Sequence, residues 1–174
     1  MKRTSFKKFP RVVMVDIDQN KPGLQSGLIA TVDLKPGDHI FYADGTYVNL
    51  NITSKKDSAK YSNALGIKRN TWINPPDTNP LRFLNHSCNP NAGIKGERTI
   101  VARKKIKAGE HITIDYSITE CDELWQLEVR CRCGEQTCRT HIRSIQSLPR
   151  ATFTKYLPYI GRHMQTEYKK AHKL

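Results

Sequence analysis

Three short segments of this 174-residue chain carry residue types that do chemistry. The densest is Arg82-Phe-Leu-Asn-His-Ser-Cys-Asn-Pro-Asn91, which sets an arginine, three asparagines, a histidine and a cysteine beside Phe83 and Leu84. Asparagine offers donor and acceptor together, and turns at such a segment present backbone carbonyls as well. That set reads a ligand bearing an amine, a carboxylate and hydroxyls; the plainer reading is an Asn-Pro turn closed on its own hydrogen bonds. The second segment is Cys131-Arg-Cys-Gly-Glu-Gln-Thr-Cys138, a C-x-C-x4-C cluster. Adjacent thiolates on a tight loop suit tetrahedral zinc, with Cys88 or Cys121 as the fourth ligand. Five cysteines are an odd number, which argues against a closed disulfide set. The charged opening lacks the apolar stretch of an export signal, so a reducing compartment is expected. The third segment is Gly109-Glu-His-Ile-Thr-Ile-Asp-Tyr116, where strand alternation puts Ile112, Ile114 and Tyr116 on one face. By itself, a tyrosine ending an apolar stripe is a core residue.

The elements that must position these segments are mostly short strands. Arg11–Val15, Gly27–Val32, His39–Tyr42, Thr46–Leu50, Thr99–Ala102 and His111–Tyr116 are β-branched and aromatic, with Pro-Gly and Asp-Gly turns between several of them. Lys55 to Gly66 reads as a helix ending at that glycine, and Ile73–Pro80 as irregular chain rich in Pro and Asn. After the cysteines, Leu148, Phe153, Tyr156, Ile160, Met164 and Tyr168 recur at helical spacing, interrupted at Pro158. The fold class is therefore β-rich α+β, without the βαβ alternation or Gly-x-Gly-x-x-Gly of a nucleotide-binding sheet. At 37% hydrophobic the chain supports one modest core, and no apolar run approaches the ~20 residues that span a membrane. Net charge is +13. It is concentrated at the ends: residues 1–11 hold no acid, and residues 139–174 hold eight basic residues against Glu167 alone. Such a field attracts polyanions or simply solvates a basic surface.

Taken in order, Arg82–Asn91, Lys107–Tyr116 and Cys131–Cys138 resemble the SET-domain protein lysine methyltransferases with a post-SET zinc motif. Gln25 to Gly45 is similar to that family's opening strands. The resemblance implies a SET fold of small curved β-sheets with a pseudoknot, in which the strand before Tyr116 passes beneath the Asn85-His86 loop, followed by a zinc cluster and a C-terminal helix. It divides the chain into a basic tail (1–10), the SET domain (11–120), the post-SET motif (121–140) and a basic helical extension (141–174). It implies S-adenosylmethionine held by Gln25, Ser26, Gly27, Tyr42, Arg82, Asn85, His86, Tyr116 and Trp125, with Leu124 or Leu127 as alternatives to Trp125. Structural zinc would be held by Cys88, Cys131, Cys133 and Cys138, leaving Cys121 as a free thiol. Tyr116 would be the catalytic residue, and Tyr42, Tyr47, Phe83 and Ile114 would line the substrate channel. Three departures stand out. The family's Gly-x-Gly is Gln25-Ser26-Gly27, Gly45 is followed by Thr46 in place of an acid, and Ile114 stands where the family often has Phe or Tyr. The smaller Ile114 leaves room for di- or trimethylation.

The implied reaction is in-line transfer of a sulfonium methyl to a lysine amine. An exposed lysine, with a pKa of about 10.4, is neutral to only about one part in a thousand near pH 7. A narrow apolar channel lowers that pKa by desolvation, and alignment supplies much of the rate. The implied partner is a protein presenting a lysine, a histone or a ribosomal protein, with non-specific nucleic-acid contact through the basic ends. The compartment would be the cytoplasm or the nucleus and its chromatin. The alternative is a catalytically weak module of the same fold that docks chromatin or nucleic acid. A zinc hydrolase is disfavoured, because four cysteine ligands leave no open position for water.

Overall fold

The computed structural model describes residues 3–16, 26–50 and 63–174. Eleven strands are present among them: β1 (Arg3–Ser5), β2 (Val12–Asp16), β3 (Ser26–Ala30), β4 (His39–Tyr42), β5 (Thr46–Asn49), β6 (Leu65–Lys68), β7 (Thr71–Asn74), β8 (Asn85–His86), β9 (Ala92–Lys95), β10 (Thr99–Ala102) and β11 (His111–Ile114). Two helices close the chain, α1 (Arg150–Tyr156) and α2 (Arg162–Ala171). The strands form three small sheets, in the orders β1-β2-β3-β11-β8, β4-β10-β9 and β5-β7-β6. All pairings are antiparallel except one, in which β11 lies parallel to β8 with Thr113 opposite Asn85 and Ile114 opposite His86. That pairing is the crossing the family resemblance calls for: two segments far apart in sequence run side by side, with β11 between β8 and β3.

One apolar core joins the sheets. Leu28 from β3, Phe41 from β4, Ile94 from β9, Ile100 from β10 and Ile112 from β11 are all buried in it, and β3, β9 and β10 run as continuous buried stretches, covered on both faces. The C-terminal helices cap this core through Phe153, Tyr156, Met164 and Tyr168. The helical run breaks at Pro158, which has no N–H to donate, and the chain makes a 3-10 turn over Leu157–Tyr159 before α2. β9 packs against that turn. A Cβ on Gly93 would stand 2.6 Å from Tyr159 Cβ, so only glycine allows the approach.

The structure corrects the sequence reading in three places. Leu65 and Gly66 are strand: β6 pairs with β7, and the Gly66 N–H donates to Thr119 O at 2.8 Å, while residues 55–62 of the expected helix lie outside the described residues. The stretch read as irregular begins inside β7, where Trp72 and Ile73 are buried, and ends in a 3-10 turn (Pro80–Phe83) capped by Asn79. The last strand stops at Ile114. The Asp115 carboxylate accepts the Ser117 N–H at 3.0 Å and starts a 3-10 turn over Tyr116–Ile118, so Tyr116 leaves the pleat rather than continuing the Ile112–Ile114 face. No helix among the described residues is long and apolar enough to cross a membrane.

Candidate active site and metal centre

The cysteine cluster is assembled from both ends of the domain. His86, Cys88, Cys131 and Cys133 place one donor atom each within 4.8 Å of one another. Cys88 Sγ stands 4.0 Å from Cys131 Sγ; the expected ligand Cys138 is not in this group, its thiol donating to Cys131 O at 3.5 Å, and His86 stands in its place. Sulfurs around a tetrahedral zinc with bonds of about 2.3 Å stand about 3.8 Å apart, so this donor set fits that ion. Cys88 packs with Trp125, Ile142 and the other three cysteines, whereas Cys121 packs against the main core. Burial, with Glu120 beside it, pushes the Cys121 thiol up to about 12. Of the two candidates for a fourth sulfur, the fold brings Cys88 to the cluster.

The Asn85-His86 strand sits between this cluster and Tyr116. Asn85 Nδ2 donates to Ser26 O at 2.8 Å, joining the Asn-rich segment to the start of β3. His86 Nδ1 accepts the Tyr116 N–H at 3.1 Å, which leaves Nε2 to carry the proton toward Cys88 Sγ at 3.2 Å. Burial holds His86 down to about 4 against the pull of Asp115, so the ring is neutral and its 3.8 Å approach to Asp115 is no ion pair. The Tyr116 hydroxyl donates to Leu84 O at 3.0 Å. Burial first, then the Cys131 charge, pushes that phenol up to about 12, so it stays protonated at neutral pH.

Several residues beyond the expected site set hold this arrangement. Arg139 donates its backbone N–H to Cys88 Sγ at 3.3 Å and its guanidinium to Asp115 Oδ1 at 2.6 Å and Ser117 Oγ at 3.3 Å. Glu135 accepts from Ser87 Oγ and Asn89 Nδ2, tying the zinc-motif loop to the Asn-rich loop. Asn91 accepts the Thr113 N–H and donates to His111 O, lacing that loop along β11. The Tyr156 hydroxyl donates to Cys88 O at 2.9 Å from α1.

Two clefts adjoin the site. A narrow one, about 20 Å³, is lined by Leu81, Leu84, Ile114, Tyr116 and Thr119. A wider one, about 390 Å³, runs from His86 and Asn89 past Lys104 and Glu110 to Cys133. Its volume lies in the range of small-molecule sites, and its amide, ammonium and carboxylate groups suit a zwitterionic ligand with hydroxyls. A third cleft of about 510 Å³ lies apart from both, between Trp72, Cys121 and Glu167.

The remaining expected site residues are scattered more widely. Ile114 and Tyr116 line the narrow cleft, but Tyr42 and Tyr47 are more than half exposed and Phe83 packs on Phe6, with none of the three on its wall. Tyr42 instead accepts Asn79 Nδ2 on its carbonyl, fastening β4 to the turn that carries Phe83. Arg82 pairs with Asp77 at 2.6 Å and so braces the Pro75–Asp77 loop. Trp125 is buried against the zinc motif, while Leu124 is exposed. Gly27 lies in β3 opposite Val15, and Gln25 lies outside the described residues.

The family model for the SET domain matches residues 25–117, more than half of the chain. The chain belongs to the SET-domain family. The chain is 30% identical over 140 residues to a Coccidioides immitis histone-lysine N-methyltransferase, H3 lysine-36 specific, covering 72% of this chain and 14% of that protein. It is 30% identical over 129 residues to the Drosophila virilis histone-lysine N-methyltransferase trithorax, covering 67% of this chain and 3% of that one. The chain thus spans a small part of these relatives. Among solved structures, the SET fold aligns with a chain of the Chaetomium thermophilum polycomb repressive complex 2 at TM-score 0.48 and 19% identity, over 60% of this chain and 15% of that one.

Proposed function

We propose that this chain is an S-adenosylmethionine-dependent protein-lysine N-methyltransferase that acts on a histone or another basic, nucleic-acid-associated protein. The observation that carries the reading is the Tyr116 hydroxyl, held by the two motif segments of a SET domain beside a narrow cleft that Leu81, Leu84 and Ile114 share with Asn63 and Thr119. S-adenosylmethionine, when bound, supplies the methyl on a sulfonium. Asn85, His86, Ser26 and Gly27 would hold it; of these, His86 lines the wider cleft, which Ser87, Asn89 and Glu110 also line.

The chain's own residues do the rest by position. Leu84 O takes the only proton of the Tyr116 hydroxyl, so that oxygen is left to accept. An incoming lysine amine would donate to it and be oriented there, with its side chain against Leu81, Leu84 and Ile114. Those walls desolvate the ammonium and favour its neutral form. A phenol that stays protonated is no base, so the amine gives its proton to solvent before it is enclosed. Ile114 on the wall in place of an aromatic ring supports di- and trimethylation. The +13 charge suits a substrate carried by an anionic assembly, as nucleosomal histones are, which puts the work at chromatin.

The test is methyl transfer from labelled cofactor to histones, nucleosomes and lysate proteins, with Tyr116→Phe alongside. Transfer to a protein lysine should fall about 100-fold or more in that variant while cofactor affinity stays within about threefold. A variant that keeps half the parent's turnover overturns the role of Tyr116. A parent that binds polyanions and never transfers a methyl leaves the docking-module reading in its place.

A further inference from the structure

Cys88 Sγ is the meeting point of a closed hydrogen-bonded ring. On one side His86 Nε2 lies 3.2 Å from it, and His86 Nδ1 accepts the Tyr116 N–H. On the other side the Arg139 N–H donates to the same sulfur, and the Arg139 guanidinium donates to Asp115, the residue before Tyr116. Both paths therefore run from one cluster sulfur to the two ends of the Asp115–Tyr116 peptide. Asp115 is fully buried, and the Arg139 guanidinium stands 2.6 Å from its Oδ1, closer than His86 Nδ1 at 3.8 Å. A second guanidinium nitrogen holds Ser117 Oγ, so the fork spans both flanks of the tyrosine.

Resting on the methyltransferase reading, we propose that Arg139 is a positioning residue: it transmits the closure of the cysteine cluster to Tyr116 by clamping Asp115 and Ser117. The post-SET motif would then do more than stabilise. Its last cysteine fixes where Arg139 starts, and Arg139 fixes where the tyrosine hydroxyl points. A planar fork is needed, because an ammonium in its place is a single point charge that cannot hold two acceptors in that fixed geometry. Groups outside the ligands that orient a site in this way commonly cost 10- to 100-fold when altered.

The experiment uses the full chain with 3-fluorotyrosine, the Tyr116 resonance being assigned with Tyr116→Phe. Two variants are compared with the parent: Arg139→Lys, and Arg139→Gln combined with Asp115→Asn, which leaves no unpaired buried charge and so guards against simple misfolding. Each should retain one zinc per chain. In both, the Tyr116 resonance should be shifted or broadened as it is in the metal-stripped parent, and kcat should fall about 10- to 100-fold with the KM for protein within about threefold. A zinc-loaded variant whose Tyr116 resonance matches the parent's overturns the proposal. If the parent transfers no methyl at all, the methyltransferase reading fails, while the resonance still decides whether Arg139 positions the ring.

Discussion

Glu120 is the group through which pH reaches the neighbourhood of Tyr116. Its carboxylate accepts the Trp72 indole N–H at 2.9 Å and the backbone N–H groups of Cys121 and Asp122 at 2.7 and 2.8 Å. Burial outweighs those three donors and raises it from 4.5 to about 7. The folded chain therefore binds this proton more tightly than the unfolded chain does. The stability it contributes is complete below about pH 4.5 and is lost as pH rises through about 7, a difference of roughly 3 kcal/mol. Urea midpoints from pH 5 to 8 should show the parent losing ground relative to Glu120→Gln, and parallel curves would refute the assignment. Because Thr119 lines the narrow cleft and its carbonyl holds β6, loosening Glu120 should also lower turnover at alkaline pH. At this scale the sequence displayed Tyr116, Asn85, His86 and the cysteines. Glu120 and Arg139 look like any surface charge until their burial is known.

At the scale of elements, the site depends on how the C-terminal helices seat against the sheets. Gly93 in β9 faces the 3-10 turn that joins α1 to α2, and a Cβ there would also meet Tyr159 O at 2.7 Å. Gly93→Ala should destabilise the fold by about 1–3 kcal/mol, read as a lower denaturation midpoint with unchanged slope. The same displacement would reach the cluster, since Tyr156 at the end of α1 bonds Cys88 O. Strands with strong β-branched or aromatic content, β10 and β4 above all, were legible from composition. β6 and β7 were hidden, because Ala64-Leu-Gly and Trp72-Ile-Asn-Pro-Pro have the local preferences of helix and loop and become strands by pairing with each other, with β5 and with Thr119. The two-residue β8 has no periodicity at all and exists because β11 lies beside it.

For the molecule as a whole, the histidine-cysteine cluster is the closure that joins residues 85–91 to residues 131–139, and zinc would lock it. Removing the ion with a chelator should release one metal per chain and lower the melting temperature by about 10 °C or more, followed by metal content and thermal melts. Cys88→Ser should do the same, whereas Cys121→Ser should leave metal content unchanged. Retention of zinc by the Cys88 variant would show that His86, also within reach, completes the tetrahedron.

By itself, the sequence determined the chemistry on offer: which side chains can ligate, accept or orient, and in what order along the chain. It also determined the β-rich class, since alternation and turn residues act over a few neighbours. Only the tertiary structure decided which of the two spare cysteines joins the cluster, that Tyr116 leaves its strand, and that Tyr42, Tyr47 and Phe83 stand off the narrow cleft while Leu81 and Leu84 wall it. Those outcomes turn on contacts between segments tens of residues apart. Burial there sets the charge state of each group, and no local pattern encodes burial.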